Sequence, residues 1–362
     1  MNLLFLTYQG DMAGSTNSIA YLSKGLAERG HRVVLGCREE SLLYQLVANS
    51  QVIRYPMTFK SKWSRESLQQ IKKAVEDFDI QLINAQSSKD RYLSIFSKWR
   101  YKLPVKIIHT RRQTPKSVGG FLQNWFYVKG TDKIVTVSEQ LKNTFIQKGI
   151  PAKHLHVIYN GIPKEKYQQF SEERVLALRE QFGIQTSDMV IGSIARLKKQ
   201  EQIIRALPYL DKKIKVLFVG FEAGVFDELV AELGIENEII YAGKVDGKDI
   251  MNYYPLLDVQ ILPSTMDGFG LVLVEAMGMS VPVIGTRYEG IIDVLDNQQN
   301  GLWFEDGNVE ELATKIKQVL YEKPVREKLI ANGLKAAHER FTLEQTILNY
   351  ERFFQEIIDN GK

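Results

Sequence analysis

A single cysteine, Cys37, stands in the 362 residues, so no internal disulfide can form and a secreted, disulfide-framed class is excluded. The five histidines are too few and too scattered for a cysteine/histidine metal cage, and no metal is expected. Long apolar runs are missing too: none approaches the roughly 18 residues that a membrane span needs. Residues 1–10 (MNLLFLTYQG) carry neither a basic leader nor an apolar stretch of signal-peptide length, which predicts a cytoplasmic protein. No G-x-G-x-x-G follows the first apolar run, and neither G-x-x-x-x-G-K-[ST] nor G-x-S-x-G occurs, which counts against nicotinamide, P-loop and α/β-hydrolase chemistry. Asp77-Phe78-Asp79 has the form of a metal-binding Asp-x-Asp, but it falls where a helix pattern gives way to a strand, at the wrong edge of a sheet for a ligand, and reads as chance.

What is present is ordinary for a globular chain. Hydrophobic residues make up 44% and charged residues 25%, so disorder, collagen and coiled coil are excluded as descriptions of the whole. At roughly 100 to 200 residues per domain, the length predicts two domains. The net charge of +4 conceals a split: residues 1–165 hold 25 Lys/Arg and 12 Asp/Glu, a net +13, which leaves −9 for the rest. Such a basic half is expected to face something anionic, unless the two halves simply attract each other. Within it, residues 60–116 carry 14 Lys/Arg against 5 Asp/Glu, interleaved with Trp63, Trp99 and Tyr101 and followed by Phe121, Trp125, Phe126 and Tyr127. Basic side chains with interfacial aromatics suit an anionic membrane surface, so a peripheral position on the cytoplasmic membrane face is expected. A nucleic-acid groove and a plain solvated face are the alternatives, and no nucleic-acid partner is expected.

Short apolar runs rich in β-branched residues recur between helical patterns at 3–8, 31–36, 80–83, 105–110 and 133–138, then afresh at 189–194, 214–219, 238–243, 258–263 and 281–285. They read as buried parallel strands. The alternation predicts an α/β protein of two doubly wound, Rossmann-like domains facing across a cleft, with ligands beyond the carboxyl ends of the strands. The boundary is expected near Lys164, after the turn sequence Asn160-Gly161-Ile162-Pro163. That gives an N-terminal domain over 1–164 and a C-terminal domain over 165–343. Ile347, Tyr350, Phe354, Ile357 and Ile358 form an apolar stripe at helical spacing, so a helix over 344–362 is expected to pack back on the first domain.

The most informative segment is LPSTMDGFGLVLVEA at 262–276, where a strand ends in a loop with Asp267, Gly268, Phe269 and Gly270 before an apolar helix. Glycines let the backbone approach a ligand, and a helix start favours an anion such as phosphate. Two carboxylates, Asp267 and Glu275, flank that start and can accept hydrogen bonds from sugar hydroxyls. The plainer alternative is an N-cap and a surface acid.

This segment resembles the E-x7-E signature of the retaining glycosyltransferases of family 4, which have the GT-B fold, with Asp267 in place of the first glutamate. The resemblance extends to a loop after the first strand (Gln9 to Thr16, with Gly14), Val137-Ser138-Glu139, the turn Val157 to Ile162, a Gly-x-x-x-Arg-Leu strand end (Gly192 to Leu197) and Glu275-Ala276-Met277. It implies a retaining, metal-independent transferase that moves a sugar from a nucleotide diphosphate donor to a glycan or glycolipid acceptor in cell-surface glycan or lipopolysaccharide assembly, with no cofactor. Glu275 is then expected on the ribose, and Asp267 with the Gly268–Leu271 backbone on the sugar. Arg196 matches the first cation of the family's diphosphate clamp; the lysine is absent at the usual spacing, and Lys198 or its neighbour Lys199 takes its place. His109, at the end of a strand, is expected to orient a substrate or take up a proton, with Arg112 as the other candidate. His154 and His156 lack a carboxylate partner for a metal. The alternatives are a nucleotide-sugar 2-epimerase of the same fold and a non-catalytic sugar-binding protein.

Overall fold

The computed structural model describes residues 1–11, 14–113, 120–265, 267–288 and 290–360. The chain divides into two units, the first made of Met1–Asn160 and Leu343–Lys362 and the second of Gly161–Thr342. The break falls inside the Asn-Gly-Ile-Pro turn.

In the first unit seven parallel strands, β1 Asn2–Leu6, β2 Arg32–Cys37, β3 Ile53–Pro56, β4 Leu82–Ala85, β5 Lys106–Arg111, β6 Lys133–Thr136 and β7 Leu155–Val157, stand in the order β3-β2-β1-β4-β5-β6-β7. The central strand β1 is buried on both faces, with Leu3 to Leu6 all at 0% exposure, which is why it reads as an unbroken apolar run. Serine caps start several of the crossover helices: Ser87 accepts from the Asp90 N–H and Ser138 from the Leu141 N–H. The second unit repeats the plan with β8 Val190–Ile194, β9 Lys215–Val219, β10 Ile239–Tyr241, β11 Val259–Leu262, β12 Val283–Thr286 and β13 Leu302–Phe304, in the order β10-β9-β8-β11-β12-β13. In both sheets the strand order reverses beside the first strand, between β1 and β4 and between β8 and β11, where doubly wound folds bind ligands. No helix among the described residues is long and apolar enough to cross a membrane.

The helix Leu343–Asp359 returns to the first unit and buries Ile347, Tyr350, Phe353, Phe354, Ile357 and Ile358 in the core that also holds Phe5, Leu22 and Leu26. Phe354 meets Phe5 edge-on at 6.3 Å and Tyr350 at 5.4 Å. Gly25 admits this helix, since a Cβ there would lie 2.1 Å from Ile347 Cδ1. Removing the fully buried Phe354 ring leaves a void, so Phe354→Ala should cost the first unit about 3 to 5 kcal/mol in urea denaturation. A loss below about 1 kcal/mol would show that the helix is not an integral layer of that core.

Candidate functional site

The second unit gathers its chemistry beyond the carboxyl ends of β8 and β11. After β8 the chain passes Ala195, Arg196, Leu197, Lys198, Lys199 and Gln200. Gly220, at φ +120°, lets the end of β9 pass this turn, because a Cβ there would stand 2.4 Å from the Ala195 carbonyl. The buried side chain of Gln200 shapes the turn: its amide donates to the Arg196 carbonyl at 3.0 Å and its oxygen accepts the Lys198 N–H at 2.6 Å. That leaves the Arg196 side chain exposed, with no ion pair among the described residues. Lys198 and Lys199 go to different partners. The Lys198 ammonium pairs with Asp267, whereas the Lys199 ammonium pairs with Asp306 at 2.5 Å, and Gln202 holds the other oxygen of Asp306 at 3.0 Å. The structure therefore brings Lys198, and not Lys199, to the first carboxylate of the motif.

After β11 the Thr286 hydroxyl fixes the chain reversal, accepting the Ser264 N–H at 2.7 Å and donating to carbonyls of the same turn. Gly268 lies so close to Gly290 that a Cβ on Gly290 would fall 1.9 Å from the Gly268 oxygen. Gly270, at φ +74°, turns the chain into the helix Leu271–Gly278. The Phe269 ring is buried against Phe341 at 5.6 Å, so this residue offers a ligand its backbone and not its ring. Leu271 opens the helix, half-buried. Met266 lies outside the described residues.

Glu275 is buried one turn further on, and both of its oxygens are engaged: Lys166 pairs with Oε1, and the Tyr254 hydroxyl donates to Oε2 at 2.8 Å. Burial first, and then the charge of Glu275, keep the Tyr254 phenol well above its ordinary pKa, so it remains a donor. Each carboxylate oxygen retains a second lone-pair direction, so two vicinal hydroxyls can still be received. Tyr167 packs against Gly278, where a Cβ would lie 2.2 Å from its ring, and this contact holds the Lys164–Tyr167 turn beside the helix. Lys166, Tyr254 and Gln200 carried no motif that could have marked them. Lys166 reaches Glu275 across 109 residues of sequence.

In the first unit, Gly14 begins the helix Gly14–Glu28; a Cβ there would meet no atom within 4 Å among the described residues. Met12 and Ala13 of the Gln9–Thr16 loop lie outside the described residues. His109 is fully buried in β5, with Nδ1 3.4 Å from Arg91 Nη1. Burial, and then the charges of Arg91 and Arg111, hold its pKa well below the usual histidine range. This corrects the expectation that it takes up a proton near neutral pH: it stays a neutral imidazole. Arg112 is half-buried and donates to the Gln86 side-chain oxygen. His154 bonds the Thr131 hydroxyl at 2.9 Å and His156 stacks on Phe353 at 4.2 Å, so neither faces the other as a ligand pair.

The basic aromatic segment forms one surface on this unit. Trp63, 63% exposed, stacks on Phe96 at 4.4 Å; Phe126 meets Tyr92, Phe96 and Trp99 within 5.5 Å; Trp125 adjoins Trp99; and Phe121 stands 82% exposed beside Leu122. Lys62 lies over the Tyr92 ring at 5.2 Å. Tyr127 is instead buried under Arg91, and Lys116 lies outside the described residues.

The family description "Glycosyltransferase Family 4" matches residues 12–166, and "Glycosyl transferases group 1" matches residues 175–336. The chain is 28% identical over 219 residues to an uncharacterized glycosyltransferase of Methanocaldococcus jannaschii; the match covers 58% of this chain and 56% of that protein. It is 27% identical to the N-acetyl-alpha-D-glucosaminyl L-malate synthase of Bacillus anthracis, over 71% of this chain and 70% of that one. Its backbone superposes on Anabaena HepE, solved in complex with UDP-glucose, with a TM-score of 0.82 at 21% identity, covering 98% of this chain and all (100%) of that one.

Breaking one member of a buried ion pair strands the other. Glu275→Gln should therefore lower the stability of the second unit by about 3 kcal/mol, and adding Lys166→Met should recover most of it. Equal stability of Glu275→Gln and the parent in thermal denaturation would mean that Lys166 and Glu275 are not energetically coupled.

Proposed function

Since this chain belongs to the GT-B glycosyltransferases of family 4, we propose that it transfers a sugar with retention from a nucleotide diphosphate donor to a glycan or glycolipid hydroxyl, without a metal. The observation that carries the donor assignment is the pairing of Lys198 with Asp267 beside the exposed Arg196, on the same unit as the Lys166–Glu275–Tyr254 group. Glu275 accepts the ribose hydroxyls, and its position is set by Lys166 and Tyr254. An ammonium has three donors, so Lys198 can hold Asp267 against the sugar and still donate to the diphosphate. Arg196 supplies the second cation. Fixed cations matter because cleavage of the bond between the anomeric carbon and the phosphate oxygen loads negative charge on the leaving diphosphate. In the front-face path the acceptor oxygen bonds the anomeric carbon on the side the diphosphate leaves, and the acceptor proton passes to the leaving phosphate oxygen. His109, buried and neutral, carries no proton in this scheme.

Arg196→Ala and Lys198→Ala should each lower kcat/KM by about 100-fold or more, with Lys199→Ala well behind, and turnover should persist in excess EDTA. Uridine, guanosine and adenosine diphosphate sugars screened by thermal shift identify the donor, because a ligand bound only to the folded state raises Tm. NMR of the product then reads the anomeric configuration. An inverted product, or donor converted at C2 with no acceptor present, would overturn the reading, the second result in favour of an epimerase.

The lysine-bordered aromatic surface of Trp63, Phe96, Trp99, Phe121 and Trp125 supports a peripheral position on an anionic membrane, where lipid-linked glycans are built. Each Lys or Arg near such a surface contributes about 1 kcal/mol, screened over a Debye length of about 8 Å at physiological salt. Co-sedimentation with phosphatidylglycerol vesicles should therefore occur at low salt and fade at high salt, with phosphatidylcholine vesicles as control. Absence of binding at low salt removes the membrane from the proposal.

A further inference from the structure

We propose that the carboxyl edge of the first unit's sheet binds a phosphate or carboxylate group of the acceptor through Arg91, Arg111 and Arg112. The word acceptor rests on the glycosyltransferase reading; the anion site does not.

Arg91 lies in the first turns of the helix Ser88–Tyr101, which follows β4, while Arg111 ends β5 and Arg112 succeeds it. Adjacent parallel strands, paired Ala85 to His109, bring the three to one edge. Arg91 is 1% exposed, and its guanidinium covers the Tyr127 ring at 3.4 Å. Arg111 donates to the Ser88 hydroxyl at 3.2 Å and to the Gln113 carbonyl at 3.1 Å, and Arg112 donates to Gln86. All these partners are neutral.

No carboxylate forms an ion pair with any of the three among the described residues, and residues 114–119 read TPKSVG, without an acid. Asp90, next to Arg91, is no counter-ion: its Oδ1 accepts the Tyr8 N–H at 2.9 Å, and burial pushes its carboxyl up to about 7. Among the described residues its Oδ2 is buried without a partner, arginines included.

Arg91 is buried and Arg111 and Arg112 are half-buried; charge held away from water without a counter-ion is costly, and buried polar groups normally have partners. Among the described residues, six N–H groups at this edge lie buried without an acceptor: Asn84 Nδ2, Gln86 Nε2, His109 Nε2, which carries the ring proton because Nδ1 faces the Arg91 donor, and the Nε of Arg91, Arg111 and Arg112. All belong to β4, β5 and the residues that follow them. Acceptor oxygens and negative charge are both missing, and an oxyanion supplies both. Water would fill the hydrogen bonds and leave three cations uncompensated. Guanidinium forks match phosphate and carboxylate geometry. The second unit has its own cations, Arg196 and Lys198, for the donor, which leaves this edge for the acceptor.

Thermal denaturation in excess inorganic phosphate, against chloride at matched ionic strength, tests the site in the full chain. Phosphate should raise Tm by about 2 to 4 °C, as expected for a ligand at several times its dissociation constant. Each variant is compared with its own chloride control. Arg111→Gln and Arg112→Gln should lose this rise, Arg111→Lys should keep part of it, and Arg196→Ala should keep it all. No rise in the parent, or a rise lost only in Arg196→Ala, overturns the site. UDP provides the second arm. If Arg111→Gln abolishes stabilisation by UDP, the arginines hold the donor and the acceptor assignment falls; if UDP still stabilises Arg111→Gln, it stands. Failure of any nucleoside diphosphate to stabilise the parent, with the phosphate results as expected, removes the donor reading and supports the anion site alone.

Discussion

A parallel sheet delivers the end of every strand to one edge, because each crossover must carry the chain back before the next strand begins. Every candidate group depends on that constraint. Arg196 and Lys198 follow β8, Asp267 follows β11, and His109 to Arg112 close β5. Between β8 and β11 the crossovers diverge to opposite sides of the sheet, so the two loops around Lys198 and Asp267 meet with no element between them. The meeting of these two loops thus follows from strand order, and the side chains refine it.

Refinement is a matter of compensating charge. Lys198 and Lys199 are neighbours with equal claims on a phosphate, yet Asp267 takes one and Asp306 the other, and Gln202 holds Asp306 in place. Glu275 is buried, and its charge is tolerable because Lys166 neutralises it and Tyr254 donates to its second oxygen. Both carboxylates are thus held in fixed orientations by neighbouring side chains, so a ligand that hydrogen-bonds them would lose less orientational freedom on binding.

The central strands were legible because burial on both faces writes an unbroken apolar run, as in VVLG and LFV. Three of the four edge strands were not; β10, equally short, was legible from the apolar run at 238–243. β3, Ile53–Pro56, alternates between half-buried and exposed residues; β7 and β13 have three residues each, too short to carry a period. In the candidate site, residues adjacent in sequence were visible as a motif, namely Asp267 to Gly270 and Glu275. Residues joined only by folding were not, among them Lys166 and Tyr254. Arg91 was invisible for another reason: in a helix reading SKDRYLSIFSKWRY a basic residue suggests solvent, and only the stacking of Tyr127 reveals it as interior. The neutral state of His109 likewise follows from arginines whose proximity no spacing announces.

The helix Leu343–Asp359 gives the molecule an inverted order of assembly. Its Tyr350, Phe353 and Phe354 complete the hydrophobic cluster begun by Leu3 and Phe5, while Gly161–Thr342 is one uninterrupted stretch. During synthesis the second unit has all of its residues before the first does. The unit that leaves the ribosome first is therefore the last able to close its core, and until the final turns emerge it presents an apolar seam around Gly25 and Phe5 to the chaperones of the cell.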